Sequence, residues 1–325
     1  MRILITGGSG FIGSHLAESF QGEAEVRVLD NLATGYEINL SRLDVDFRRG
    51  SILDDAALQG AMVGVDYVFH LAAMVSVPIS VSEPLSCESV NGVGVVRVLE
   101  AAAQAGVRKV FFASSAAIYG DNPTVPKTEA MLPEPKSPYA ITKLQGEHWC
   151  RFYHDEGRVK TVALRFFNVF GPRQDPRGAY AAAVPIFIEK ALNGEPLAIY
   201  GDGSATRDFV YVKDIVAAIR HVTVTPELTG VRNAGYGGAI TVKALAEKIV
   251  ELAGSKSEIR YLPDRPGDVK HSRAAVDELA ATGFQPVSSL EEGLAATLAY
   301  FRISAGPCGV GREGSVAPSE GRCAS

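Results

Sequence analysis

The chain has 325 residues, 46% of them hydrophobic, which is enough for a full apolar core in one large α/β domain or in two lobes. Its 32 basic and 37 acidic residues give a net charge of −5, which argues against an extended nucleic-acid surface but allows a local anion site. The four cysteines show no C-x-x-C spacing and no apolar run is long enough for a signal peptide or a membrane span. We therefore expect a cytoplasmic protein without a metal site and without nucleic-acid or membrane partners.

Short apolar runs alternate with segments of helical spacing along the first half of the chain. The runs are RILIT, EVRVL, VDYVFHLA, VRKVFFAS and KTVALRF, which begin at residues 2, 25, 65, 107 and 160. This alternation predicts an α/β fold with a doubly wound, mostly parallel sheet.

The run ITGGSGFIGSH, residues 5–15, follows the first predicted strand and leads into a helix predicted to begin at Phe11. Its glycines fit both G-x-G-x-x-G and G-x-x-G-x-x-G. Such a loop allows a tight turn and close backbone approach, and the helix N-terminus offers N–H groups and a positive dipole end to a pyrophosphate. We predict a dinucleotide site at Gly7, Gly10 and Gly13, the alternative being a glycine turn needed only for packing. His15, alone in this helix, is expected to have a structural role.

Asp30 ends the second predicted strand, twenty-three residues after Gly7. Its carboxylate can accept hydrogen bonds from an adenosine ribose and would repel a 2′-phosphate. This position favours NAD over NADP.

The segment SPYAITK, residues 137–143, is typical of a helix start, with Ser137 as N-cap and Pro138 at the first helical position. Tyr139 and Lys143 then lie four residues apart on one helix face. An ammonium group close to a phenol favours the phenolate, and a nicotinamide cation would act in the same direction. The pair therefore predicts a tyrosine acid/base.

Ser115 ends the predicted strand VFFASS at the carboxyl edge of the sheet, where open α/β folds bind ligands. Its hydroxyl could hydrogen-bond the oxygen whose proton Tyr139 takes. The alternative interpretation makes Ser114 and Ser115 ordinary turn residues.

After Asn168 the pattern loosens, and RDFVYVKDIVAAIRHV, from residue 207, predicts one more strand and helix that return to the sheet. The last residues lack periodicity and are rich in Gly, Ser and Pro. We predict a Rossmann NAD-binding domain over residues 1–167 with 206–233. Residues 168–205 with 234–302 are predicted to form a smaller, discontinuous α+β substrate lobe, and residues 303–325 a disordered tail.

The sequence resembles the extended short-chain dehydrogenases/reductases, and within them the NAD-dependent nucleotide-sugar 4-epimerases. The matching stretches are GGSGFIGSH, LDNLATG, VFHLAA, VNGVGVVRVLEAA, FASSAAIYGD, SPYAITK, LRFFNVFGPRQDP, GDGSATRDFVYVKD and RPGDVKHS, which together span residues 1 to about 303.

The resemblance implies a catalytic triad of Ser115, Tyr139 and Lys143. The residues expected to bind NAD are Gly7, Gly10, Phe11, Ile12, Gly13, Asp30, Asn31, Ser51, Ile52, Leu71, Ala72, Ala73, Asn91, Tyr139 and Lys143. The residues expected to bind a UDP-sugar are Ser115, Asn168, Arg207, Arg265, Asp268 and Ser272. Guanidinium groups suit a diphosphate because they bind its oxygens in pairs.

The reaction that the resemblance implies is reversible inversion at C4 of a UDP-hexose. Tyr139, as phenolate, would take the C4 hydroxyl proton directly or through Ser115 while hydride passes from C4 to NAD. The 4-keto sugar would then turn over with its diphosphate still anchored, and hydride would return to the other face.

Two positions bear on the alternatives. Related dehydratases and decarboxylases carry an acid where this chain has Ala116 and Ala117, so elimination lacks an obvious agent. At the position of Ser272, the resemblance implies that a small residue admits a bulky C2 substituent. Together with the stretch GPRQDPRGAYAA, it implies similarity to epimerases that act on N-acetylated UDP-hexosamines. A UDP-glucuronate 4-epimerase, a nucleotide-sugar dehydratase or decarboxylase, and a non-catalytic NAD-binding protein remain alternatives. The resemblance also implies a homodimer built from helices within residues 84–105 and 137–156.

Overall fold

The structure, a computed structural model, describes residues 1–177, 181–264 and 269–304. The strands are β1 (Arg2–Thr6), β2 (Glu25–Asp30), β3 (Asp46–Arg49), β4 (Tyr67–His70), β5 (Lys109–Ser115), β6 (Lys160–Phe166), β7 (Asn168–Phe170), β8 (Leu197–Tyr200), β9 (Thr206–Arg207), β10 (Phe209–Tyr211), β11 (Gly230–Ala234), β12 (Ile240–Thr241) and β13 (Ile259–Leu262). The helices are α1 (Phe11–Ser19), α2 (Asp55–Met62), α3 (Val77–Ser82), α4 (Pro84–Cys87), α5 (Gly94–Gln104), α6 (Pro138–Asp155), α7 (Ala183–Asn193), α8 (Val212–Val224), α9 (Val242–Ala253), α10 (Asp277–Ala280) and α11 (Leu290–Ser304). A π-helical segment, Glu88–Val93, joins α4 to α5, and Glu37–Leu40 and Ala116–Tyr119 are 3₁₀ turns.

Within the described residues, seven strands form one sheet in the order β11-β6-β5-β4-β1-β2-β3. Every neighbouring pair in it is parallel. The chain moves outward from β1 through β2 and β3 on one side and through β4, β5 and β6 on the other. The prediction of a doubly wound parallel sheet is thus confirmed, and its order reverses between β1 and β4, where such sheets bind ligands.

Successive residues of the central strands pack on opposite faces of the sheet. In β1, Ile3 and Ile5 belong to the hydrophobic cluster that includes α1 and α8, whereas Leu4 belongs to the cluster that includes α2 and α5. Phe111 and Phe112 of β5 divide in the same way. Apolar residues on both faces explain why these strands read as continuous hydrophobic runs.

The five predicted strands correspond to β1, β2, β4, β5 and β6. Strand β3 was not predicted, and its residues Asp46–Arg49 are mostly charged. As the edge strand, β3 exposes polar side chains, so no apolar run marks it.

The prediction for the segment from residue 207 was partly wrong. Its strand β10 pairs with β7 outside the main sheet, and β9 pairs with β12. The helix α8 does pack on β5 and β6, but the strand that returns to the sheet is the later β11, which occupies the free edge of β6. The main-chain and side-chain N–H groups of Asn168 both donate to Asp208 O at 3.0 Å, which holds β10 beside β7.

Away from the sheet, α7, α9 and α11 pack together with the parallel pair β8-β13. Helix α11 continues through Ile303 to Ser304, so the first two residues of the predicted tail are helical. Arg302 ties this end of α11 down by donating to Ala253 O at 3.0 Å. The remainder of the predicted tail, 305–325, lies outside the described residues. None of the helices in the described ranges is both long and apolar enough to cross a bilayer.

Candidate active site and dinucleotide cradle

The glycine loop lies between the carboxyl end of β1 and the start of α1, as predicted. Gly7 has φ +75°, and a Cβ there would lie 2.7 Å from Ala72 N. A Cβ at Gly13 would lie 2.3 Å from Gly7 O, because the first turn of α1 sits directly on the loop. Side chains at these two positions would therefore displace the loop.

No side chain caps the N-terminus of α1. Its N-cap is Gly10, which contributes no side-chain hydrogen bond, so the first-turn N–H groups are not capped in this way. The Ser9 hydroxyl in the same loop is buried and has no hydrogen-bond partner among the described residues. The loop thus offers N–H donors and the positive end of the helix dipole, which suits a dinucleotide pyrophosphate.

Asp30 lies at the carboxyl end of β2 with its side chain oriented by the backbone. One carboxylate oxygen accepts a hydrogen bond from Ser9 N at 2.9 Å and the other accepts from Leu32 N at 2.8 Å. Each oxygen retains a lone pair for a further donor. Ribose hydroxyls can supply such donors, whereas a 2′-phosphate would meet the negative charge.

Three more residues predicted to bind NAD lie beside Asp30. Asn31 is exposed, and its side chain accepts from Ala33 N at 3.1 Å. Ser51 follows β3, and its hydroxyl accepts from Leu53 N at 3.1 Å. Ile52 is buried in the core beside α5, so its side chain packs inside the protein.

Residues 71–73 follow β4 and border the glycine loop. Leu71 N donates to Thr6 O at 3.1 Å, and Ala72 N donates to Thr6 Oγ1 at 3.4 Å. Asn91, in the π-helical segment, holds the end of this stretch through two bonds to Met74, at 2.8 Å to its N and 2.9 Å to its O. Asn91 is buried, and its two bonds to Met74 hold residues 71–74 beside the glycine loop.

Helix α6 begins where the sequence predicted. The Ser137 side chain accepts from Ala140 N at 3.2 Å, and Pro138 occupies the first turn. Ser80 was not predicted as a site residue, and its hydroxyl accepts from Tyr139 N at 3.2 Å. This contact from α3 fixes the backbone of the predicted acid/base residue.

The three predicted catalytic residues meet at the carboxyl end of β5. The Ser115 hydroxyl accepts from Ala117 N at 3.1 Å and lies near enough to Tyr139 to lower the pKa of that tyrosine. Lys143 Nζ lies 5.7 Å from the centre of the Tyr139 ring and donates to Ala113 O at 2.8 Å. The structure therefore brings Ser115, Tyr139 and Lys143 into one cluster.

Burial dominates the electrostatics of this cluster. It raises the pKa of Tyr139, an effect opposed by the hydrogen bond from Ser115 and reinforced by the nearby Cys87 thiol. Burial lowers the pKa of Lys143 to about 8. The raised pKa of the tyrosine and the lowered pKa of the lysine each disfavour the charged form of the group. Shifted pKa values gathered in one cluster are typical of an acid/base site.

The residues predicted to hold the substrate lie on linked segments. Arg207, in β9, donates to Thr206 O at 2.9 Å and to Lys270 O at 3.3 Å. Ser272 lies alongside, with its N donating to Thr206 O at 3.1 Å. Asn168 joins the same group through Asp208, the residue after Arg207. Arg265 and Asp268 lie outside the described residues.

Asp208 connects these segments and was missed by the sequence analysis. It is fully buried, and its carboxylate accepts from the N–H groups of Tyr236, Gly237 and Ala274 at 2.8, 3.0 and 3.0 Å. Burial raises its pKa, against the effect of these three bonds. An aspartate beside Arg207 in an apolar run was the available signal, because a charge there needs buried partners.

The segment that carries Ser272 is close to the carboxyl end of β5. Ile118, Tyr119, Phe167 and Ala274 form one buried cluster, so the segment after Ser115 packs against the segment after Ser272. Ala116 and Ala117 begin this segment, and neither supplies an acid. Over the described residues no group of three or more His, Cys, Asp or Glu side chains is arranged to hold a metal ion.

Known proteins resemble this chain over nearly its whole length. Residues 3–259 match the NAD dependent epimerase/dehydratase family. A UDP-glucose 4-epimerase of Mycolicibacterium smegmatis is 39% identical over 93% of this chain and 99% of its own length. The structure of a Thermotoga maritima UDP-glucose 4-epimerase with UDP-glucose is 41% identical, with a TM-score of 0.90 over 94% of this chain and 99% of that one.

A second solved structure matches equally well in fold. It is a UDP-N-acetylglucosamine 4-epimerase from Methanobrevibacter ruminantium in complex with UDP-N-acetylmuramic acid, 39% identical, with a TM-score of 0.90 over 93% of this chain and 98% of that chain. The match extends through both the glycine loop and the acid/base cluster. This chain is therefore a member of the NAD dependent epimerase/dehydratase family, as its motifs predicted.

Proposed function

We propose that the protein is an NAD-dependent UDP-sugar 4-epimerase. The observation that carries the proposal is the cluster of Tyr139, Ser115 and Lys143 at the carboxyl end of β5, in a chain 39% and 41% identical to UDP-sugar 4-epimerases. NAD fits the cradle, because the uncapped N-terminus of α1 suits its pyrophosphate and Asp30 suits its ribose.

Each residue has a distinct task in the proposed reaction. Tyr139 removes the proton of the C4 hydroxyl, directly or through the hydrogen-bonded Ser115, and later returns a proton to the same oxygen. The Lys143 ammonium favours the phenolate form of Tyr139. NAD, when bound in this site, would supply the reversible hydride chemistry at the sugar carbon.

Inversion requires that the 4-keto sugar turn over without leaving. We assign this retention to Asn168 and Arg207, together with Arg265 and Asp268, which the family resemblance places at the nucleotide diphosphate and ribose. Guanidinium groups suit phosphate oxygens. An anchored diphosphate keeps the reacting carbon near Tyr139 while the sugar rotates.

We propose UDP-glucose and UDP-N-acetylglucosamine, with their C4 epimers, as the substrates. The small side chain of Ser272 leaves room for a C2 substituent in this assignment. UDP-glucuronate is the competing sugar substrate. A dehydratase or decarboxylase activity is disfavoured by Ala116 and Ala117, which provide no acid beside Ser115.

The decisive experiment is incubation of the purified protein with a panel of UDP-sugars, with products resolved by chromatography, mass spectrometry and NMR. An isomer of unchanged mass, inverted at C4, supports the proposal. Loss of water or of carbon dioxide would instead establish a dehydratase or a decarboxylase. Binding of NAD without any product from the panel would favour a non-catalytic role.

We further propose a homodimer formed through α6 and the region of α4 and α5. Ile141 and Phe152 of α6 are 51% and 47% exposed, and Leu85 of α4 is 85% exposed. Apolar side chains exposed on one face commonly mark an interface. Light scattering of the protein and of a Phe152→Glu variant tests this, since the charged variant should be monomeric.

We propose that residues 1–167 with 206–233 bind NAD and that residues 168–205 with 234–302 form the substrate lobe. A cytoplasmic location is proposed from the free, buried thiols of Cys87 and Cys150, which suit a reducing compartment.

A further inference from the structure

A chain of buried polar side chains lies directly behind the acid/base cluster. Glu147, four residues after Lys143 in α6, accepts a hydrogen bond from Ser114 Oγ. It also binds Arg165 in β6 through two parallel bonds, with Arg165 Nε at 2.9 Å from Oε1 and Nη2 at 2.8 Å from Oε2. All three residues are buried.

These contacts fasten α6 to the end of β5 at two consecutive strand residues. Lys143 Nζ donates to Ala113 O at 2.8 Å, and Glu147 accepts from Ser114, the next residue. The residue after that is Ser115, whose hydroxyl lies near enough to Tyr139 to lower the pKa of the tyrosine. The position of Ser115 relative to Tyr139 therefore depends on how α6 is seated on β5.

The other end of the chain reaches the wall of the proposed sugar pocket. Arg165 Nη1 donates to Tyr119 OH at 2.8 Å, and Tyr119 OH donates to Asn233 Oδ1 at 2.7 Å. Asn233 Nδ2 then donates to Ala275 O at 3.3 Å, three residues after Ser272. A continuous series of hydrogen bonds thus links the helix of Tyr139 to the segment of Ser272.

Net stabilisation is a weak reason for such an ion pair. Removing two charges from water costs several kcal/mol, and this cost roughly cancels the attraction within the pair. A bidentate arginine–carboxylate pair does, however, fix both partners in distance and orientation. Positioning is the property that this geometry supplies.

We propose that Glu147 and Arg165 are positioning residues, which hold Ser115 against Tyr139 and tie this pair to the wall that carries Ser272. This inference rests on the epimerase function proposed above. Neither residue needs to touch the substrate or the cofactor for this role.

The principal test is Arg165→Lys, because lysine keeps the charge but cannot form the two parallel bonds. We expect kcat to fall about tenfold or more, with KM for the UDP-sugar within about threefold and with unchanged NAD content, because only the reacting geometry is disturbed. The acidic limb of the pH profile of kcat should also move to higher pH, since a displaced Ser115 no longer lowers the pKa of Tyr139.

Arg27→Lys is the matched control. Arg27 is also buried, and it donates to Asp46 Oδ2 at 2.7 Å, Ala61 O at 2.8 Å and Val63 O at 2.9 Å, away from the acid/base cluster. The Arg27→Lys variant should lose thermal stability and keep the wild-type kcat and pH profile. If Arg165→Lys behaves like this control, its role is merely structural and the proposal is wrong.

Tyr119→Phe is the second variant if Arg165→Lys does not fold, because it removes one hydroxyl that links Arg165 to Asn233. A fall in kcat with a shifted acidic limb supports the proposal, and wild-type values for both contradict it. Ultraviolet titration of Tyr139, taken as the difference between each protein and its Tyr139→Phe counterpart, provides a readout without turnover. A wild-type protein that epimerises no sugar overturns the proposed function, while an unshifted titration in Arg165→Lys overturns the positioning role alone.

Discussion

Lys143 Nζ lies 5.7 Å from the centre of the Tyr139 ring, and donates to Ala113 O at 2.8 Å. The lysine therefore attaches its helix to β5, and in the proposed mechanism its ammonium also favours the Tyr139 phenolate. Two functions in one side chain mean that substitutions at Lys143 and at Tyr139 should fail in different ways.

Tyr139→Phe removes the phenol oxygen and keeps the ring. We expect kcat to fall by about a thousandfold, within the usual range for loss of a general acid/base, while NAD remains bound. The measurement is turnover of the UDP-sugar together with NAD released on denaturation. A rate close to wild type would remove Tyr139 from the mechanism.

Lys143→Met keeps the length of the side chain and removes its charge. A neighbouring cation favours the phenolate, so its loss raises the pKa of Tyr139, and the acidic limb of the pH profile should move up by about one unit or more. Both activity and NAD affinity should weaken. Because burial lowers the pKa of Lys143 to about 8, the wild-type protein should itself lose this support as pH rises above 8. An unshifted limb in Lys143→Met would contradict the electrostatic role.

Ser272→Tyr tests the proposed C2 pocket. A large ring at this position should lower kcat/KM for UDP-N-acetylglucosamine at least about tenfold more than for UDP-glucose, because only the first substrate needs the space. Ser272→Ala is the matched control and should leave the ratio of the two substrates unchanged. Equal losses on both substrates in Ser272→Tyr would show that this residue does not set pocket size.

Local signals identified the parts of the fold that depend on short stretches of sequence. The glycine loop, Asp30, the Ser137 cap and the four-residue spacing of Tyr139 and Lys143 each have their own pattern, and each lies where it was expected. The central strands were recognisable because apolar residues fill both of their faces.

Long-range partners could not be predicted from such patterns. Asp208 accepts N–H groups from residues 236, 237 and 274, and Glu147 meets Arg165 from another element of the fold. Strand β10 likewise pairs with β7, while the later strand β11 occupies the edge of β6. None of these hydrogen-bond partners or strand pairings can be read from a short stretch of sequence.

The loop after Asp30, which carries Tyr36, contacts the glycine loop, and we expect this contact to affect how long NAD stays bound. Tyr36 N donates to Ser9 O at 3.1 Å, and Tyr36 OH donates to Asp175 Oδ2 at 2.5 Å. This contact joins the loop after Asp30 to the loop after β7. Tyr36→Phe should therefore release NAD about tenfold faster, because a hydrogen bond to a charged group is lost.

Displacement of NAD by a fluorescent analogue measures this rate. Asp175→Ala should have a similar effect, and the double variant should release NAD no faster than the more severe single variant, since both changes break the same contact. Additive effects would indicate that Tyr36 and Asp175 act separately.

Two buried histidines predict how stability depends on pH. Burial, reinforced by Lys143, lowers the pKa of His70 to about 3, and burial lowers that of His15 to about 4. Below the unfolded-state value of about 6.5, the unfolded chain therefore binds protons that the folded chain does not. Their contribution to stability is complete above pH 6.5 and is lost as pH falls toward 4, at about 2 kcal/mol per histidine between pH 7 and pH 5.

Urea unfolding at pH 7 and pH 5 measures this loss. In His70→Gln the residue no longer titrates, so the difference in unfolding free energy between the two pH values should shrink by about 2 kcal/mol, whatever the absolute cost of the substitution. His148→Gln, on the exposed face of α6, is the matched control for the His-to-Gln change itself. The same difference in His70→Gln and wild type would mean that His70 binds its proton equally well in the folded protein, against the burial and the 2.8 Å contact of its Nδ1 with Thr6 Oγ1.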